Sequence, residues 1–242
     1  FSFCWGTEHV EKSLKAMLIA MDQVDFKRHV LITDSSKTDL SLFGQVIDRH
    51  KIEVCDMSVD LNDNMSNDDK NRVGFNQSFI QQTNKYIFDD FCLNIQHDST
   101  IIDIEKWDNR FMHYDYIGAP WPMHIIQASD MVAGRIEEIP NVVGNGGFSL
   151  RTRAFVEESA KLGWEHKNED LNICVFNYDT MTSAGIKFAP PELAAQFSKE
   201  HPTPFGNFNR NMLFSYNSFG FHGEFNSAGM EFIKDYDLKG MV

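Results

Sequence analysis

The sequence predicts an α/β fold with a mainly parallel central sheet flanked by helices. Three observations carry that prediction. Short apolar runs, such as residues 29–33 and 91–95, have the length and composition of buried strands. Between them lie stretches with apolar residues at helical spacing, of which Val10, Leu14, Met17, Leu18 and Met21 form the clearest set. The length of 242 residues suits one α/β domain, since such units commonly reach about 200–250 residues.

Taken in order, residues 1–5 read as a short strand, and the turn at Gly6-Thr7-Glu8 leads into the first helix with Thr7 as its cap. A second strand covers residues 29–33 and ends at Asp34. Leu42, Phe43, Val46 and Ile47 mark a second helix, and residues 52–57 a third strand. Residues 60–72 are polar and read as a solvated loop, followed by a helix over 73–85. Residues 91–95 form a buried strand that delivers Gln96-His97-Asp98. A further strand lies around residues 116–119, and another over 148–150 leads into a helix over 153–162. Residues 169–176 read as a short helix, 186–189 as a strand, and 191–197 as a helix with proline in its first turn. Residues 122–140 have no clear period and are expected to be a mobile active-site loop or an acceptor-side insertion. No repeat or linker interrupts the chain, so one domain spanning 1–242 is the simplest organisation.

Composition narrows the class. With 42% hydrophobic and 24% charged residues the chain reads as soluble and globular. A net charge of −13 argues against a nucleic-acid partner, whose binding surfaces are basic. The same charge would repel a nucleoside diphosphate unless a cation intervened. Cys4, Cys55, Cys92 and Cys174 have no Cys-x-x-Cys spacing and are expected to be free thiols. No run approaches the roughly 18 apolar residues of a membrane span. Together these make a cytoplasmic location the expectation.

Five short motifs carry chemistry. Asp98 follows an apolar strand, where a carboxylate can hold a divalent cation that in turn grips phosphate oxygens, or can simply serve a turn. Gly144-Asn145-Gly146-Gly147 has three glycines in four residues, which suits either a tight turn or close approach of a ligand to the backbone. It matches neither the P-loop nor Gly-x-Gly-x-x-Gly. Glu169-Asp170 suits a helix start, and also a general base. His222 sits in Phe219-Gly220-Phe221-His222-Gly223, as a packed core histidine or a ligand. Trp121, in Tyr114-Asp115-Tyr116-Ile117-Gly118-Ala119-Pro120-Trp121, can stack on a sugar face or plug the core.

In this order the motifs resemble the GT-A glycosyltransferases, and among them a group of sugar transferases with the pattern YDYIGAPW, GNGGFSLR, ED and FGFHG. The resemblance covers most of residues 85–225, and residues 1–60 only through the order of strands and helices. It implies a nucleotide-diphospho-sugar donor of UDP or GDP type, an Mn²⁺ or Mg²⁺ ion, and a carbohydrate or glycoconjugate acceptor. Residues 1–98 would be the nucleotide-binding half and 99–242 the acceptor and catalytic half. Asp98 would stand where the last Asp of an Asp-x-Asp motif holds the metal, and His222 would complete the coordination. The first Asp of that motif is Gln96 here, which can hydrogen-bond ribose but supplies no charge; His97 is either a ligand or faces into the fold. Gly146 and Gly147 would offer backbone N–H groups to sugar or phosphate. Arg151 would pair with phosphate or lie on the surface. Asp170, with Glu169 second, would take the acceptor proton in an inverting transfer. Thr7, Glu8 and Asp34 occupy the place where such folds bind the base. Two alternatives stand beside this one. A sugar-1-phosphate nucleotidyltransferase would need a glycine- and basic-rich loop that residues 1–20 lack. A silent nucleotide-sugar or carbohydrate-binding domain would suit the incomplete acidic triplet.

Overall fold

Helices separate the first four strands, and each supplies the crossover that a parallel neighbour requires. The computed structural model describes residues 1–4, 6–57, 67–122, 140–163, 168–200, 217–224 and 227–238. Strand β1 (Ser2–Phe3) leads into helix α1 (Thr7–Met21), β2 (Val30–Thr33), a 3-10 turn (Leu40–Phe43), α2 (Gly44–Arg49), β3 (Glu53–Asp56) and α3 (Asn67–Tyr86). β2 lies between β1 and β3 and is parallel to both, with Leu31 opposite Ser2 and Ile32 opposite Cys55. The next strand, β4 (Phe91–Ile95), joins this sheet through Phe1, whose N–H donates to Leu93 O at 2.6 Å and whose carbonyl accepts from Ile95 N–H at 2.9 Å.

The second half is built differently. β5 (Ser99–Ile101), β6 (Tyr116–Gly118) and β7 (Phe148–Thr152) follow, then α4 (Arg153–Ser159), α5 (Glu169–Leu171), a π-helical turn (Asn172–Phe176) and α6 (Tyr178–Ser183). The chain continues through α7 (Pro191–Phe197), β8 (Ser198–Lys199), β9 (Gly220–His222) and α8 (Ser227–Asp235). β7 inserts between β4 and β6 and runs antiparallel to both. A third sheet has β9 at its centre, antiparallel to β5 and parallel to β8. The sheet is therefore only partly parallel, since β7 runs against both of its neighbours and β9 against β5.

Apolar side chains fix these layers. Val10, Leu14 and Met17 of α1 pack with Leu31, Phe43 and Ile52 on one face of the first sheet. Phe3, Val30, Ile32 and Cys55 pack with Phe79 and Ile87 on the other. The largest cluster joins the second and third sheets and is rich in phenylalanine: Phe148 stacks on Phe197 at 5.3 Å and Phe111 meets Phe197 edge-on at 5.2 Å. Among the described residues most of the phenylalanine is thus core. All four cysteines are free thiols. Among the described residues no helix is long and apolar enough to cross a membrane.

Several expectations shift. Helix α3 begins at Asn67, so residues 67–72 are helical where a loop was expected. Thr7 is the first residue of α1, and the cap is Gly6 at φ +85° with no side-chain bond. The Thr7 hydroxyl instead accepts from Asp39 N–H at 3.2 Å. Residues 186–189 form only a bridge between Phe188 and Tyr116, since Pro190 and Pro191 cannot donate to a ladder. Strands β5 and β9 carried no sequence signal. The expected loop over residues 122–140 falls almost wholly outside the described residues.

Candidate active site

One carboxylate–histidine group and one carboxylate–arginine pair meet around the glycine turn. Strand β4 is apolar and ends at Ile95, so the chain emerges from the core at Gln96. There Gln96 N–H is held by Ser99 Oγ at 2.8 Å and by Gly147 O at 3.0 Å. The tight turn that results places Asp98 immediately before β5. Because Ser99 lies opposite His222 in β9, Asp98 and His222 become neighbours. Gly223 N–H donates to Asp98 O at 3.0 Å, from a backbone at φ +104° that suits glycine.

Asp98 is 8% exposed, and its Oδ1 lies 3.4 Å from His222 Nε2 and 3.9 Å from His97 Nδ1. Among the described residues that oxygen has no hydrogen-bond partner. On its other side, His222 Nδ1 lies 3.5 Å from Glu200 Oε1. Burial works against the Asp98 carboxylate, but the charge of His222, with that of His97 behind it, outweighs this and holds its pKa far below the ordinary range. Burial likewise works against the His222 cation, yet Asp98 and Glu200 push its pKa well up. His97 also faces Glu224 at 3.6 Å and meets the His9 ring edge-on at 4.7 Å, so the first turn of α1 borders this loop.

Glu169 and Asp170 open α5 on the far side of the turn. Glu169 is 4% exposed and its Oε1 sits 3.1 Å from Arg151 Nη2, while its Oε2 has no hydrogen-bond partner among the described residues. Burial raises its pKa against the pull of Arg151. Asp170 is half-buried, and its Oδ1 accepts from Leu171 N–H at 2.8 Å. Burial first, and the neighbouring Glu169 charge second, push its pKa up to about 8. The π-helical turn that follows α5 is the kind of irregularity that recurs at functional sites.

The turn itself joins the two groups. A Cβ on Gly147 would collide with the His222 imidazole, and one on Gly146 with Glu169 Oε1. The peptide between them is thus a thin wall with the His222 ring on one side and the Glu169 carboxylate on the other. Its groups are committed inward: Gly146 O accepts from Asn94 Nδ2 at 2.6 Å, Ser149 Oγ at 2.9 Å and Arg151 Nη2 at 3.2 Å. Gly147 N–H donates to Asn145 Oδ1 at 3.1 Å.

Four sequence expectations change accordingly. Gly147 N–H is spent on Asn145, so a donor contact from it is replaced by the structural role of letting His222 approach. Arg151 is 2% exposed, lies 4.8 Å from the Phe79 ring centre and is paired with Glu169, so it is neither a surface residue nor free for phosphate. Trp121 is 7% exposed, packs with Leu171 and Val175, and lies where a Cβ on Gly144 would go; it plugs the core. Glu8 is exposed and pairs with Lys12 at 2.8 Å on the helix surface. Asp34 is 4% exposed and accepts from Ser36 N–H at 3.0 Å, with Lys37 Nζ at 3.4 Å. Thr7 and Asp34 do stand at the carboxyl ends of β1 and β2, where Gly6 N–H bonds Thr38 Oγ1 at 2.9 Å and ties the two loops together. Glu200 was not anticipated; only a search for a carboxylate partner to His222 could have pointed to it.

Asp98 and His222 fit a divalent cation. An oxygen and a nitrogen 3.4 Å apart can both lie about 2.0–2.3 Å from one ion, and among the described residues the buried Asp98 oxygen has no hydrogen-bond partner. Among the described residues no group of three or more His, Cys, Asp or Glu side chains is placed to hold a metal.

No curated protein sequence matches the chain. Among solved structures, the galactosyltransferase LgtC in complex with donor and acceptor sugar analogs superposes with a TM-score of 0.55 at 11% identity, covering 100% of this chain and 99% of that one. The bifunctional glycosyltransferase WbbM, in its apo form, gives a TM-score of 0.53 at 9% identity and covers 99% of this chain and 50% of that one. At such identities the likeness establishes the fold, which is that of the GT-A glycosyltransferases. A family model matches residues 57–222, which contain β4, the glycine turn, Glu169-Asp170 and His222; the chain belongs to the family described as "Protein of unknown function (DUF5672)".

Proposed function

We propose that the protein is a metal-dependent glycosyltransferase that moves a sugar from a nucleotide-diphospho-sugar, of UDP or GDP type, to a hydroxyl of a carbohydrate or glycoconjugate, with inversion. The observation that supports this reading is that Asp98–His222 and Glu169 lie on opposite sides of the Gly146–Gly147 peptide, with Asp170 next to Glu169 in the chain. In this assignment Asp98 and His222 hold Mn²⁺ or Mg²⁺, which when bound neutralises the diphosphate charge. Nitrogen ligation by His222 favours Mn²⁺.

The chain's own residues then divide the work. Asp170 reaches solvent and has a raised pKa, which suits a base that takes the proton from the acceptor hydroxyl as that oxygen attacks the anomeric carbon. Glu169 is buried against Arg151 and serves to hold α5 and to raise the Asp170 pKa. Thr7 and Asp34 border the place for the base, and Gln96 the ribose. Residues 1–98 act as the nucleotide-binding half and 99–242 as the acceptor and catalytic half.

Asp170→Asn tests the assignment. Calorimetry should find nucleotide binding nearly unchanged, while transfer falls by about 10²–10⁴-fold. Normal turnover in that variant would remove Asp170 from the mechanism. Gln96 in place of an acid favours one rival, a silent nucleotide-sugar-binding domain. Such a domain would bind the donor and never hydrolyse it, with or without acceptor.

A further inference from the structure

Strand β8 lies parallel to β9, with Lys199 opposite Phe221, so the residue after β8 falls level with His222. That residue is Glu200. Its Oε1 is 3.5 Å from His222 Nδ1, and both side chains are largely buried, at 12% and 15% exposure. The other ring nitrogen, Nε2, faces Asp98 Oδ1 at 3.4 Å. The imidazole is thus held between two carboxylates, and Gly147 closes the space beside its ring.

We infer that Glu200 is a positioning residue that holds the Nδ1–H of His222 and so presents Nε2 toward Asp98 as a ligand for a divalent cation. This rests on the glycosyltransferase reading for the identity of the ion, and on geometry alone for the orientation of the ring. A carboxylate behind a ligating histidine fixes its tautomer, locks its rotation and raises its basicity. Glu200 has the position to do all three. It needs no contact with the ion or the donor.

The experiment compares the wild type with Glu200→Ala and Glu200→Gln, each first checked for a native circular dichroism spectrum. Mn²⁺ affinity is read by electron paramagnetic resonance, with the ion alone and with a nucleoside diphosphate. Glu200→Ala should bind Mn²⁺ about 10–100-fold more weakly. Glu200→Gln should lose less, because its amide oxygen still accepts the Nδ1–H but brings no charge. In parallel, nuclear magnetic resonance follows the His222 ring Nδ1–H. It should resist solvent exchange in the wild type and Glu200→Gln and exchange freely in Glu200→Ala. Unchanged Mn²⁺ affinity in folded Glu200→Ala would overturn the inference. If the wild type binds no Mn²⁺, the metal reading of the site falls. The ring proton then decides by itself whether Glu200 orients His222, and equal exchange in all three proteins would overturn that as well.

Discussion

Asp170 gives the site its distinctive chemistry and also a measurable cost. Its pKa is raised from 3.8 to about 8, so over that window the folded protein holds a proton that the unfolded chain has released. Stability therefore falls as pH rises between about 4 and 8, and the penalty is absent below about 4. Asp170→Asn should unfold at higher denaturant than the wild type at pH 8, by on the order of 1–3 kcal/mol, and the two should converge near pH 4. A wild type equally or more stable at pH 8 would show that the carboxylate is ionised without strain. Arg151 carries the opposite risk. Its charge is buried with that of Glu169, and breaking such a pair costs about 3–5 kcal/mol by leaving the partner uncompensated. Arg151→Met should lower stability by that order in urea unfolding, and should do so without any nucleotide present. Some of this was legible in the residue types: Asp98, His222 and Glu169-Asp170 are acids and a histidine in short motifs. Arg151 was not, because nothing in the sequence distinguishes a buried guanidinium from a surface one until its partner, eighteen positions away, is known.

At the scale of elements, legibility followed the source of each element's stability. Strand β4 was readable because its residues are apolar by themselves, and α7 because proline opens it at Pro191. Strand β9 was not, since Gly220-Phe221-His222 has no strand pattern of its own and is extended only because β5 and β8 flank it. Its first residue shows how closely it fits. A Cβ on Gly220 would collide with the Phe148 ring of β7. Gly220→Ala should therefore overpack the core and destabilise the fold by about 1–3 kcal/mol. It should also disturb His222, two residues on, so that Mn²⁺ affinity falls together with thermal stability. Preserved affinity in a destabilised variant would separate the packing role of β9 from its role in the site.

The whole molecule carries a net charge of −13, which sets how it meets an anionic ligand. Without a divalent cation, a nucleoside diphosphate approaches against a negative field. Salt screens that field over about 8–10 Å at physiological strength. Nucleotide affinity in EDTA should thus improve as sodium chloride rises from about 10 to 150 mM, opposite to the behaviour of a basic nucleotide-binding surface. With Mn²⁺ present the dependence should flatten, and a Tm rise with one nucleoside diphosphate would name the base. Nucleotide at about 100 times its Kd should add about 2.7 kcal/mol of stability. The α/β class was legible from strand and helix alternation, whereas the antiparallel half was not, because pairing direction depends on where a strand returns rather than on what it contains.

The first and second sheets meet along Phe1. A parallel trio of strands and an antiparallel trio are stitched together there by Phe1–Leu93 and Ile95–Phe1 main-chain bonds. The Ile95 amide is thus a gauge of breathing along that seam. Mass spectrometry of deuterium uptake at this amide reports how often the two sheets part, and a ligand that touches both would slow the clock.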